Sequence, residues 1–110
     1  MKQREIWKVD LNPIRGSEQA GTRPVVIISG NLLNTHSAVV IACPLTTKIK
    51  NYHGNVILTP NKLNGLTSKS EILTFHIRSI SKDRLIEKIG EITKSEYNQL
   101  KECLDDILRY

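Results

Sequence analysis

The sequence predicts a mainly β domain, a small antiparallel barrel of short strands with short helical turns and one C-terminal α-helix. Three observations carry this. The β-branched runs "PVVIIS" (24–29) and "AVVIACPL" (38–45) have no polar alternation and are too short for helices, so they read as central strands buried on both faces. Clusters containing Gly, Pro and Asn separate these and the other short segments. Sustained helical periodicity appears only after Thr93. Five or more short strands with one helix fit a barrel whose helix covers an edge or open end.

Each element follows in order. Trp7, Val9 and Leu11 alternate with Lys8 and Asp10, as in a half-buried strand, and Pro13 with Gly16 ends it in a loop. The strand 24–29 comes next, and "GNLLNTHS" reads as a loop or a single helical turn before the strand 38–45. Residues 46–54, "TTKIKNYHG", form a second polar loop that is basic and expected to be mobile, and a further strand spans Asn55–Thr59. After a turn at 60–65, "SEILTFHIRSIS" (70–81) alternates as a strand with room for a bulge, and Ser81 stands as a cap for one helical turn. "IEKIGEI" (86–92) returns to strand. Thr93 with Glu96 forms a capping box, and Tyr97, Leu100, Leu104, Ile107 and Leu108 mark one face of the closing helix.

A chain of 110 residues accommodates one domain, 1–110, around a single hydrophobic core. The charged start "MKQREIWKVD" and the lack of any long apolar run point to a cytoplasmic protein without a membrane span. Cys43 and Cys103 read as small packed thiols rather than a bridge, and no CxxC or HxxxH spacing suggests a metal. The formal charge of +5 is uneven. Residues 1–55 carry seven Lys/Arg against three Asp/Glu, and residues 56–110 nine against eight. A basic half with sparse acids suits a polyanion such as RNA or DNA, although a merely solubilising surface has the same composition.

The two polar loops, 14–22 and 46–54, each adjoin an apolar strand. If strands 24–29 and 38–45 are antiparallel neighbours, the exit of one lies beside the entry of the other, and Arg23 faces Thr46 across a cleft. An arginine fork can hold a phosphate and the charge that develops on it, and a threonine hydroxyl can donate to a nonbridging oxygen. The competing reading has Arg23 paired with Glu18 or Asp10 and Thr46 capping a turn. His36, His53 and His76 share no motif spacing. Of these, His53 beside Tyr52 is the better placed to touch a nucleotide, because an aromatic ring can stack on a base.

These segments resemble the MazF/PemK/Kid toxins, the ribonuclease components of type II toxin–antitoxin pairs. The resemblance is carried by "EIWKVDLNPIRGSEQ", "GSEQAGTRPVVIIS", "ACPLTTKIK" and "SEILTFHIRSISKDRLIEKIGEIT", and it spans essentially the whole chain. It implies the SH3-like antiparallel barrel of MazF, PemK and CcdB. The implied activity is a dimeric, cofactor-free and metal-independent endoribonuclease that cuts single-stranded mRNA at short sequences, inhibits translation and growth, and is held in check by a cognate antitoxin. Catalysis then falls on Arg23 and Thr46. RNA or antitoxin contacts fall on Ser17, Glu18 and Gln19, with Lys48, Lys50, Tyr52, His53 and His76 added from the basic loop and the groove. Phe75-His76 departs from the family, where many relatives carry an acid followed by Gln, and His76 is read as replacing that Gln as a hydrogen-bonding group. Two other readings stay open: a CcdB-like toxin that binds DNA gyrase on the same fold without catalysis, and a noncatalytic RNA-binding module.

Overall fold

In the computed structural model, residues 1–11 and 21–110 are described. Seven strands are present among them: β1 (Glu5–Asp10), β2 (Thr22–Ile27), β3 (Val39–Thr46), β4 (Ile57–Leu58), β5 (Ser70–Ile72), β6 (Arg78–Ser81) and β7 (Leu85–Glu91). Their spatial order is β4-β5-β3-β2-β1-β7, with β6 also beside β3, and every pairing is antiparallel. The order places the two most apolar strands, β2 and β3, side by side at the centre. Val25, Val26, Ile27, Val40, Ala42 and Cys43 are accordingly fully buried.

Both faces of this sheet are covered, so the expected single core is divided in two. Ile6, Val26, Cys43, Leu45, Leu58 and Ile72 cluster with Ile92 and Leu100 on one side. Val9, Val25, Ile27, Val40, Ala42 and Ile80 cluster on the other, with Trp7, Leu11 and Leu85 packed against them. The period of two along each strand dictates this split, because Val25 and Ile27 point away from Val26. Both cysteines are free and buried. Burial, with Cys103 nearby, pushes the Cys43 thiol up to about 12.

Segment 70–81 runs along β3, but a 3₁₀ turn rather than a bulge interrupts it. Leu45 pairs with Ile72 and Ala42 with Arg78, so a short step along β3 is matched by twice as many residues on its partner. The turn Thr74–His76 takes up the excess, buries Thr74 and leaves Phe75 and His76 outside. The strand expected at 55–59 contracts to the two residues of β4.

The open path of strands is closed by a turn. Glu91 N–H donates to Leu63 O at 3.0 Å. A Cβ at Gly90 would lie 2.4 Å from Asn64, and one at Gly65, which has φ +65°, would lie 2.2 Å from Ile89 O. Only hydrogen side chains allow the 61–66 turn to approach β7 this closely.

Helix α1 (Asn31–His36) fills the segment expected to be a loop or a single turn. Ser81 occupies the N-cap of the 3₁₀ turn Lys82–Arg84, although its side chain makes no capping bond. Helix α2 (Lys94–Arg109) starts at the expected capping box: Thr93 N–H donates to Glu96 at 2.8 Å, and Glu96 N–H to Thr93 Oγ1 at 3.1 Å. It docks through its middle turns, where Leu100 and Cys103 are buried. Ile107 and Leu108, expected on the buried face, are exposed because the helix runs past the edge of the core.

Candidate active site

Arg23 and Thr46 are both strand residues, not loop residues flanking the strands. The β2–β3 register pairs Ile27 with Ala42, Val26 with Cys43 and Val25 with Pro44. Continuing it past this last pair places Arg23 opposite Thr46. Pro24 and Pro44 each lack an N–H, so this end of the ladder has fewer bonds to hold the strands together. A cavity of about 320 Å³ lies here, lined by Arg23, Pro24, Leu45, Thr46, Lys48 and Ser70 among others. The facing expected from topology is therefore present.

Thr46 Oγ1 accepts the N–H of Lys48 at 3.1 Å. That contact closes a turn and occupies an oxygen lone pair, which leaves the hydroxyl proton able to donate. The Arg23 side chain is exposed and makes no hydrogen bond or ion pair with another described residue. Its pairing with Asp10 is therefore not seen, and Glu18 lies outside the described residues.

Arg23 also borders two further cavities. One, of about 500 Å³, is lined by Leu11, Pro44, His76, Ile77 and Arg78 with Arg23. The other, of about 490 Å³, includes Lys8, Thr22, Thr67, Glu87 and Lys88. One guanidinium thus stands where three concave surfaces meet. Lys48, Arg78, Lys8 and Lys88 are distributed around it, which is the arrangement a polyanion requires. Lys88 is partly neutralised by Glu5 at 3.1 Å.

The basic loop is tied down, contrary to the mobility expected of it. Glu71 on β5 is fully buried and pairs with Thr46 across the β3–β5 ladder. Its Oε1 accepts the N–H groups of Lys50 (2.8 Å) and Asn51 (3.1 Å). Its Oε2 accepts the N–H of Tyr52 (3.0 Å) and the side-chain amide of Asn55 (3.0 Å). Burial pushes the carboxyl pKa up, but hydrogen bonds from Asn55 and from the Lys50, Tyr52 and Asn51 backbone outweigh it, leaving the value below the ordinary 4.5.

The other candidate residues separate clearly. Lys48 lines the first cavity and His76 the second. Tyr52 packs edge-on against Phe75, with ring centroids 5.1 Å apart, and Phe75 packs edge-on against His76 at 4.5 Å. Lys50 and His53 are exposed, and neither lines these cavities. His36 ends α1. Ser17, Glu18 and Gln19 lie outside the described residues. Sequence reasoning missed Glu71 and Arg78. An acid between Ser70 and Ile72 in an apolar segment is the available signal for Glu71, but its donors lie some twenty residues away. Among the described residues, no group of three or more His, Cys, Asp or Glu is placed to hold a metal, and no helix is long and apolar enough to cross a membrane.

A helix-capped antiparallel half-barrel, with a threonine hydroxyl and an arginine unpaired among the described residues sharing a cationic cleft, defines a class of small barrel proteins whose site has the chemistry to suit a phosphate chain. The family model described as "PemK-like, MazF-like toxin of type II toxin-antitoxin system" matches residues 2–108. The chain belongs to that family. It is 34% identical over 109 residues to endoribonuclease MazF9 of Mycobacterium tuberculosis, covering 94% of this chain and 92% of that protein. It is 32% identical over 109 residues to endoribonuclease MazF of Staphylococcus saprophyticus, covering 96% and 88%. Among solved structures, it is similar to an endoribonuclease in complex with its cognate antitoxin from a mycobacterial species, at TM-score 0.79 and 27% identity, covering 98% and 94%. MazF of Deinococcus radiodurans aligns at TM-score 0.80 and 26% identity, covering 100% and 97%.

Proposed function

We propose that this chain is the endoribonuclease toxin of a type II toxin–antitoxin pair, cutting single-stranded RNA at the Arg23–Thr46 cleft. The observation that carries the reading is the meeting of the Arg23 guanidinium, which pairs with no other described residue, and the Thr46 hydroxyl on one cavity at the end of the β2–β3 ladder. The ribose 2′-hydroxyl attacks the adjacent phosphorus, the O2′–P bond forms, and the P–O5′ bond breaks. A cyclic phosphate and a free 5′-hydroxyl result, with the 2′ proton released and the 5′ oxygen protonated. Arg23 stabilises the charge gathering on the phosphate oxygens, while Thr46 donates to one of them and orients it. The guanidinium is a planar fork of donors with no acceptor, so charge stabilisation rather than proton transfer is assigned to Arg23.

Lys48, Lys50, Tyr52, His53 and His76 bind the RNA on either side of the cleft, with His76 hydrogen-bonding a base edge and Tyr52 offering a stacking face. Ser17, Glu18 and Gln19 contact RNA or antitoxin. The toxin works as a homodimer, and an acidic, disordered segment of the antitoxin covers the basic face to silence it.

The test is incubation of the purified chain with a long transcript in EDTA, followed by sequencing of the 5′ ends. Fragments with 5′-hydroxyl ends at a recurrent short sequence are expected. Intact RNA across many sequences would favour a gyrase-binding or purely RNA-binding protein instead.

A further inference from the structure

We infer that Glu71 is a positioning residue for RNA cleavage: its buried carboxylate fixes the loop after β3 and thereby the direction of the Thr46 hydroxyl. This rests on the endoribonuclease reading above.

Glu71 is a charged side chain with no exposed surface, and its four hydrogen-bond donors among the described residues are all neutral amides. Burying a carboxylate without a cation is costly unless donors converge on it, so the site is built around the ionised form. The donors come from one short stretch. Backbone N–H groups of three successive residues, Lys50, Asn51 and Tyr52, point inward, which turns the chain sharply. Asn51 has φ +54° and Gly54 φ +85°. An L-residue at positive φ costs free energy in an isolated loop, and the carboxylate offsets that cost here.

The path from this anchor to the cleft is short. Lys50 is held by Glu71, Lys48 lies two residues before it, and the Lys48 N–H is the donor that Thr46 Oγ1 accepts. Releasing Lys50–Tyr52 frees Lys48, and the Thr46 hydroxyl then loses the bond that sets its lone pairs. Glu71 is also the cross-strand partner of Thr46, so the same residue holds both the strand end and the loop that leaves it. Helix α2 supports the anchor from behind: the Cys103 thiol donates to Asn55 Oδ1 at 3.3 Å, while the Asn55 amide donates to Glu71. Preorganisation of this kind raises the rate with RNA already bound.

The test uses the full-length chain and a long transcript containing a cleavage site mapped with the wild type. Glu71→Gln keeps the shape but turns an acceptor into a donor facing N–H groups. Amide hydrogen exchange at Lys48, Lys50, Asn51 and Tyr52 is expected to accelerate at least tenfold, with Val26 and Cys43 unchanged. The single-turnover cleavage rate at saturating RNA is expected to fall at least tenfold, and Glu71→Asp is expected to restore part of it by restoring the charge. A wild-type rate in Glu71→Gln, or a lowered rate with unchanged exchange in the loop, overturns the positioning role while leaving the endoribonuclease reading intact. A wild-type chain that cuts no RNA overturns both. Should Glu71→Gln fail to fold, Asn55→Ala removes one donor and keeps the carboxylate. Loop exchange and rate are then expected to change together by at least threefold, and a change in neither overturns the inference.

Discussion

Replacing Arg23 by Ala removes a positive charge from the junction of three cavities without touching the core. The Arg23 side chain is exposed and makes no hydrogen bond or ion pair with another described residue, so its loss should alter stability by no more than about 0.5 kcal/mol. Its effect on chemistry is of another order. Deleting one preorganised donor to a developing oxyanion costs about 3–4 kcal/mol, which corresponds to roughly 10²–10³ in rate. Arg23→Lys keeps the charge but loses the planar fork that engages two phosphate oxygens together, so it should fall between wild type and Arg23→Ala. The assay is single-turnover cleavage of an end-labelled transcript, run beside urea unfolding of each variant. A wild-type rate for Arg23→Ala, or a rate loss accompanied by an equal loss of stability, would refute the assignment.

Other perturbations separate the site from its scaffold. Thr46→Val keeps the branched shape and removes the hydroxyl, so single-turnover cleavage should drop by roughly 1–2 kcal/mol of barrier, a typical hydrogen bond's worth, while Thr46→Ser restores most of it. Leu100→Ala opens a cavity where α2 meets the larger core cluster and should cost about 2–5 kcal/mol in urea unfolding, with the cleavage chemistry unchanged in the folded fraction. The Glu71 carboxyl sits below its ordinary 4.5, so its ionised form contributes stability above that pH, and the contribution is lost as pH falls through the lower folded value. The stability gap between wild type and Glu71→Gln, measured by urea unfolding, should accordingly be constant near neutral pH and shrink under acid.

Much of the architecture is legible from local pattern. A β-branched run buries both faces wherever it sits, so β2 and β3 follow from composition. The capping box of α2 is a contact between residues three apart, and its sequence signature is sufficient. The facing of Arg23 and Thr46 is also accessible, because an antiparallel neighbour brings strand exit beside strand entry whatever the details of the barrel. The 3₁₀ turn at Thr74–His76 is different. Alternation in "SEILTFHIRSIS" describes each half of the segment, but the shift of register depends on how both halves lie against β3.

What the sequence determined by itself is a helix-closed antiparallel barrel, a basic first half and the arginine–threonine pair, all set by hydrophobic period, charge count and strand order. The tertiary structure alone decided that Gly65 and Gly90 close the barrel by backbone contact, that Phe75 bridges Tyr52 and His76, and that the basic loop is held rather than free. The reason lies in Glu71. A carboxylate's partners are chosen by distance in space, and its partners at Lys50, Asn51, Tyr52 and Asn55 are separated from it in the chain by β4 and a turn. Periodicity cannot report such a contact; only folding the strand against the loop creates it.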